Sequence, residues 1–280
     1  MITGSNSGIG KATAIGLAKM GASVVMVCRD QIKGEAAMAE VKAKSGNESV
    51  TLMLADLSSQ KSIHQLAKDF ADTYQHLHVL VNNAGVHLAK RSVTVDGIET
   101  TFAVNHLSYF LLTNLLLGVL KSSAPARIVN VSSKAHYRGH INFDDLQGEK
   151  RYSGFRAYSQ SKLANILFTY ELAKRLIGTG VTANCLHPGV VATNLWRNNS
   201  GVLGLILRIF SPLMQSPEKG ARTSIYLASS PEVGGISGKY FVKETEVRSS
   251  RESYDESISQ RLWRLSAELT RLNTNSDVRH

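Results

Sequence analysis

Short runs of β-branched and aliphatic residues alternate with longer helix-length segments along most of this chain. That alternation constrains its fold more than any other feature. Ser23–Val27, Val50–Leu54, Val79–Val81, Ile128–Val131 and Val181–Cys185 read as buried strands. Ile9–Met20, Lys33–Lys44, Lys61–Tyr74, Ile98–Leu120 and Ala157–Leu176 lie between them and have helical length. Continuous apolar strands are buried on both faces, and parallel neighbours need a crossover, usually a helix. The pattern therefore predicts an α/β fold: one doubly wound parallel sheet with helices on both faces. The 280 residues are 43% hydrophobic, enough for one large core, and no Gly/Ser-rich or Pro-rich stretch reads as a linker. One domain is expected over residues 1–242, with a C-terminal helical extension over 243–280. The first strand looks truncated, because only Met1-Ile2 precede the first glycine motif, where such folds place roughly four to six residues.

Sheets of this kind bind ligands beyond the carboxyl ends of their strands. The segments that follow the strands are therefore the ones to read for chemistry. Thr3-Gly4-Ser5-Asn6-Ser7-Gly8-Ile9-Gly10 precedes a helix. Glycines permit a tight turn and close approach of a pyrophosphate, and a helix N-terminus offers free N–H groups. A plain helix-start turn is the simpler alternative. The second strand ends at Cys28-Arg29-Asp30. An acid there would take the ribose 2′-OH of NAD, whereas an Arg favours a 2′-phosphate; Arg29 points to the phosphate and Asp30 leaves the choice open. Asp56 and Leu57 follow the third strand, where Asp56 would accept from an adenine amine or simply cap a helix. Asn82-Asn83-Ala84-Gly85 follows the fourth, as a nucleotide platform or an Asn/Gly turn.

Tyr158 and Lys162 stand four apart on one predicted helix, so they share a face. A nearby ammonium is expected to bring a phenol down from its usual value of about 10, which would make Tyr158 an acid/base for an alcohol or carbonyl oxygen. Ser132-Ser133, at the end of the fifth predicted strand, offers a hydroxyl to the same oxygen. Taken alone, a Tyr/Lys pair on a helix is usually a solvated face.

Charge and cysteines exclude other classes. The formal net charge is +10, but the basic residues are scattered and form no run of five or six. A nucleic-acid arm is therefore not expected. From Lys239 onward, eight Lys/Arg accompany seven Asp/Glu, so the excess lies in the body. It suits an anionic cofactor, a membrane surface, or ordinary solubility. Cys28 and Cys185 sit in separate strand-like runs, which argues against a disulfide framework. The N-terminus reads as no signal peptide, the apolar stretch Leu107–Leu120 as too short to span a bilayer, and the expected setting as cytoplasmic. No metal site is expected.

Taken together, TGSNSGIG at Thr3–Gly10, NNAG at Asn82–Gly85, Asn105, IVNVSS at Ile128–Ser133, YSQSK at Tyr158–Lys162 and HPGVVAT at His187–Thr193 resemble the short-chain dehydrogenase/reductase superfamily from Ile2 to about Val242. FAVNHLSYFLLT, RYSGFRAYSQSKLANILF and ELAKRL resemble its retinol-dehydrogenase-like branch. The resemblance implies that Tyr158 is the general acid/base and that Lys162 binds the nicotinamide ribose. It implies that Ser133, rather than Ser132, holds the substrate oxygen and that Asn105 positions a water in a proton relay. Gly4, Ser7, Gly8 and Ile9 would line the pyrophosphate, and Arg29 would meet the 2′-phosphate. Asp56 and Leu57 would flank the adenine, and Asn83 its ribose. Pro188, Gly189, Val191 and Thr193 would contact the nicotinamide side. The expected activity is NADP(H)-dependent interconversion of a lipophilic alcohol and its aldehyde or ketone. The alternative is a catalytically weak dinucleotide-binding scaffold or redox sensor. The apolar segment Gly201–Met214 is expected to fold over the substrate as a lid, or to form an ordinary core helix, or to touch a membrane surface peripherally.

Overall fold

The computed structural model describes residues 1–189 and 215–272. The chain builds β1 (Ile2–Thr3), α1 (Gly8–Lys19), β2 (Val24–Cys28), α2 (Gln31–Ser45), β3 (Val50–Leu54), α3 (Gln60–Thr73) and β4 (Val79–Asn82). A long helix α4 (Thr100–Ser122) follows, then β5 (Ala126–Val131), α5 (Gly154–Arg175), β6 (Val181–His187), α6 (Pro217–Ser229), β7 (Tyr240–Val242), β8 (Thr245–Glu246) and α7 (Glu256–Leu269).

These strands form one sheet in the order β3-β2-β1-β4-β5-β6-β7-β8. All neighbours are parallel except β7 with β8. The five strands and five helices expected from periodicity are all present. Boundaries moved where packing decided them: β2 runs on through Cys28, and α5 begins at Gly154. The edge pair β7–β8 carried too few residues to show a period.

Two apolar layers sandwich the sheet. On one face α3 (Ile63, Leu66, Phe70), α4 (Phe110, Leu112, Leu116) and α5 (Phe168, Leu172) pack with Trp263 of α7. On the other, α1 (Ala14, Leu17), α2 (Ala37, Val41) and α6 (Leu227, Ala228) cover Ile2, Met26, Val81 and Val129. The fully buried Tyr109, Phe70 and Phe110 anchor the first layer. Each such side chain contributes roughly 1.5–3 kcal/mol on burial.

The first strand has only two residues, yet it lies centrally between β2 and β4, pairing Ile2 with Met26 and Val81. The Met1 amino group donates to Val79 O at 2.9 Å. Helix α4 reaches 23 residues and is apolar enough to cross a membrane by length and composition. Length is therefore not what argues against spanning. Its apolar stretch is 72% buried within the protein, as a core helix would be. Both cysteines are buried and unpaired, Cys28 on β2 and Cys185 on β6.

Candidate active site

The strand order reverses between β1 and β4, and open sheets of this kind take their ligands at the carboxyl ends of the strands beside such a reversal. The glycine motif begins at the end of β1. Gly4 (φ +64°) and Gly8 (φ +55°) occupy the left-handed region, which costs glycine almost nothing. A Cβ on Gly4 would stand 2.8 Å from Ala84 Cα, and one on Gly10 would stand 2.4 Å from Gly4 O. The loop after β1 and the loop after β4 thus touch backbone to backbone.

Thr3 and Asn83 knit the two loops. Thr3 Oγ1 accepts from the N–H groups of Asn83 (2.9 Å) and Ala84 (3.1 Å). The Asn83 amide donates to Thr3 O (2.8 Å) and Gly4 O (3.3 Å). Asn83, expected beside a ribose, spends its amide on this brace. Helix α1 then starts at Gly8 with extended Ser7 as its N-cap and no side-chain hydrogen bond to its first turn. Helices α2 and α3, by contrast, are capped by their own Asp30 and Ser59. The first-turn N–H groups of α1, including that of Ile9, are the free donors an anion needs.

Arg29 and Asp30 lie at the end of β2. Asp30 caps α2 by accepting from Lys33 N at 3.0 Å and pairs with Lys33 Nζ at 2.9 Å. Lys33 thus partly neutralises the one acid there able to take a ribose hydroxyl. Arg29 is exposed and joins none of the ion pairs among the described residues. Asp56 turns the chain after β3 by accepting from Ser58 N (3.0 Å) and Ser58 Oγ (2.7 Å). It is not the α3 cap; Ser59 is. Leu57 packs onto the core beside a cavity of about 10 Å³ shared with Ile63 and Leu107, room for about one water.

The reacting groups come from β5, α4 and α5. Ser132 Oγ donates to Lys162 O at 2.7 Å and is buried, so it serves the fold. Ser133 Oγ accepts from Ala135 N at 3.2 Å and hydrogen-bonds the Tyr158 hydroxyl. The second serine of the pair therefore faces the tyrosine. Lys162 Nζ donates to Val131 O at 3.0 Å and lies 5.7 Å from the Tyr158 ring centroid and 5.8 Å from that of Tyr109. Asn105 sits on a π-helical turn, Ala103–Leu107, inside α4; such turns are rare and cluster at functional sites. Its side chain accepts from Val86 N (2.7 Å) and donates to Val86 O (2.9 Å) and Ser161 Oγ (3.0 Å). Asn105 thereby ties the loop after β4 to α5. At Gly85 a Cβ would come within 3.3 Å of Asn105 Oδ1 and 3.6 Å of Lys162 Nζ.

The electrostatics differ from the expectation that an ammonium would draw the phenol down. Burial pushes Tyr158 up to about 12, opposed by the Ser133 hydrogen bond, and pushes Lys162 down to about 7. Desolvation disfavours both charged forms, and Lys162 gives its hydrogen bond to Val131 O rather than to the phenol. Tyr158 is therefore a protonated group at neutral pH.

Pro188 and Gly189 directly follow β6, with Gly189 at φ +92° and a Cβ there 2.4 Å from Gln215 Oε1. Val191, Thr193 and the segment Gly201–Met214 lie outside the described residues.

The sequence motifs include Thr3, Tyr109 and Ser161 but assign them no role, and they leave out His87. Tyr109 donates to Ala84 O at 2.7 Å, Ser161 to Tyr158 O at 2.7 Å, and the His87 ring meets Tyr158 edge-on at 5.6 Å. Thr3, Tyr109 and His87 act through contacts between segments distant in the chain, and Ser161 also accepts from Asn105 Nδ2 of α4; the sequence spacing does not show these partners.

The profile of the family described as short chain dehydrogenase matches residues 1–201. Mouse retinol dehydrogenase 12 is 51% identical over 269 residues, covering 96% of this chain and 85% of its own. Human retinol dehydrogenase 14 is 47% identical over 283 residues, covering 95% and 84%. Among solved structures, an uncharacterized Mycobacterium paratuberculosis protein superposes with a TM-score of 0.77 at 37% identity, over 96% of this chain and 92% of that one. Pseudomonas aeruginosa RhlG, solved as an NADP active-site complex, gives 0.69 at 29% identity, over 86% and 92%. A reversal of winding beneath a glycine loop and these likenesses over nearly the whole chain lead to one conclusion: the chain belongs to the short chain dehydrogenase family, as an oxidoreductase resembling the retinol dehydrogenases.

Proposed function

We propose that this oxidoreductase uses NADP(H) to interconvert a lipophilic alcohol with its aldehyde or ketone. The observation that carries the reading is the Ser133–Tyr158 hydrogen bond, with Lys162 beside it, on the sheet whose strand order reverses at the glycine loop. The cradle fits a dinucleotide. Gly4 and Gly8 leave no side chain between backbone and ligand, and the first turn of α1 carries no side-chain cap. Gly4, Ser7, Gly8 and Ile9 would hold the pyrophosphate, and Lys162 a ribose. Pro188 and Gly189 would flank the nicotinamide. Arg29, with Asp30 engaged by Lys33, favours a 2′-phosphate over a bare hydroxyl. When bound, the cofactor supplies the hydride.

The protein supplies orientation and a proton. Ser133 Oγ would hold a carbonyl oxygen against the Tyr158 hydroxyl. Tyr158, kept protonated by burial, then gives its proton as charge develops on that oxygen. That protonation state suits reduction of a carbonyl. The retinol dehydrogenase relatives support a lipophilic substrate. The assay is NADPH consumption with a chain-length series of aldehydes. Turnover that grows with chain length is expected, and no turnover with any aldehyde or ketone would favour a dinucleotide-binding scaffold.

A further inference from the structure

Two buried histidines grip the same peptide group. The Ser133 carbonyl accepts from His136 twice, from the backbone N–H at 3.1 Å and from ring Nδ1 at 2.6 Å. The N–H on the other side of that peptide bond, Lys134 N, donates to His187 Nδ1 at 3.3 Å. His136 is fully buried and His187 is 5% exposed. The far nitrogen of His136, Nε2, accepts from Ser250 N at 3.1 Å. Its ring is wedged against Tyr137 (4.0 Å) and edge-on to Tyr240 (4.9 Å).

We propose that His136 and His187 are positioning residues that clamp the Ser133–Lys134 peptide and so aim Ser133 Oγ at Tyr158, with Ser250 tying the clamp to the chain's C-terminal segment. This rests on the role of Ser133 given above.

The partners dictate the tautomers. A carbonyl only accepts, so His136 carries its proton on Nδ1. A backbone N–H only donates, so His136 Nε2 and His187 Nδ1 are bare. Both rings must be neutral, and burial holds both below the usual histidine range, His187 at about 4. With the peptide fixed on both edges, Ala135 N reaches back to Ser133 Oγ. That leaves the serine hydroxyl directed at the tyrosine. His187 immediately precedes Pro188-Gly189. The clamp therefore joins three segments: the end of β5, the end of β6, and the Ser249–Ser253 stretch.

Imidazole nitrogen NMR on the full chain near neutral pH tests the clamp without substrate. His136 is expected as the Nδ1–H tautomer and His187 as the Nε2–H tautomer. Ser250→Pro should shift His136 Nε2 alone. Proline suits that site because Ser250 already has φ −64°, and the N–H is the one hydrogen-bonding donor lost, the Ser250 hydroxyl being buried without a partner among the described residues. A His136 proton found on Nε2 overturns the proposal.

Kinetics with NADPH and nonanal test the consequence. His136→Asn keeps a donor near the Nδ1 position and should hold kcat within about threefold, whereas His136→Gln loses that donor and should lower kcat at least about tenfold with KM for NADPH unchanged. In a Ser133→Ala background, His136→Gln should add less than about twofold, because it acts through the serine. If His136→Gln does not fold, Ser250→Pro carries the kinetic test, and an unchanged kcat there overturns the link. If Ser133→Ala leaves turnover intact, the reading of the site fails while the spectra still decide the clamp. If Ser133→Ala abolishes turnover but the His136 variants match wild type, the clamp alone is wrong.

Discussion

Lys162 makes the energetics of this site measurable apart from its chemistry. Its ammonium is buried under the sheet end, 3.0 Å from Val131 O and above two aromatic rings. Burial lowers its pKa from 10.5 to about 7. In the unfolded chain the group stays protonated up to its ordinary value. Between about pH 7 and 10.5 the unfolded state therefore binds more protons, and stability must rise with pH through that window. The cost of burying the charge is complete below pH 7 and gone near 10.5. A fall from 10.5 to about 7, at about 1.4 kcal/mol per unit, is on the order of 5 kcal/mol. Lys162→Met keeps the length and apolar bulk but has no charge to bury. Urea titrations of both proteins at pH 7, 8, 9 and 9.5 should show wild type gaining on the variant by several kcal/mol. The comparison stops short of pH 10 because buried Tyr158, raised to about 12, reverses the slope above its unfolded value. A constant difference between the two proteins across the series would refute the argument that desolvation governs this lysine.

Three further outcomes follow from the geometry. Tyr158→Phe removes the proton donor but keeps the ring against His87 and Lys162; turnover should fall at least about 10²-fold while NADPH titration by fluorescence stays near wild type. Wild type should bind NADPH more tightly than NADH, and Arg29→Ala should erase most of a roughly tenfold preference; equal wild-type affinities would remove Arg29 from cofactor choice. Gly10→Ala sets a Cβ 2.4 Å from Gly4 O and 2.5 Å from Asn83 Nδ2, so it should cost about 1–3 kcal/mol and weaken NADPH binding. A raised melting temperature, which alanine normally brings to a helix interior, would count against that contact.

Much of this protein was legible in its sequence, because the physics involved is local. Alternating strand and helix periods dictate a parallel sheet, since a strand buried on both faces needs helices to cover it. Tyr158 and Lys162 share a face because a helix repeats every 3.6 residues, and glycines at 4 and 8 sit where only glycine turns cheaply. Tertiary structure decided what depends on which groups are brought together. It left Asp30 to Lys33 and Arg29 to solvent. It set Ser133 rather than Ser132 against Tyr158 and spent the Asn83 amide on the glycine loop. It also overruled the expected pull of Lys162 on Tyr158. Charge spacing is written in the sequence, but desolvation is a property of everything packed around the pair, and here it is the larger effect.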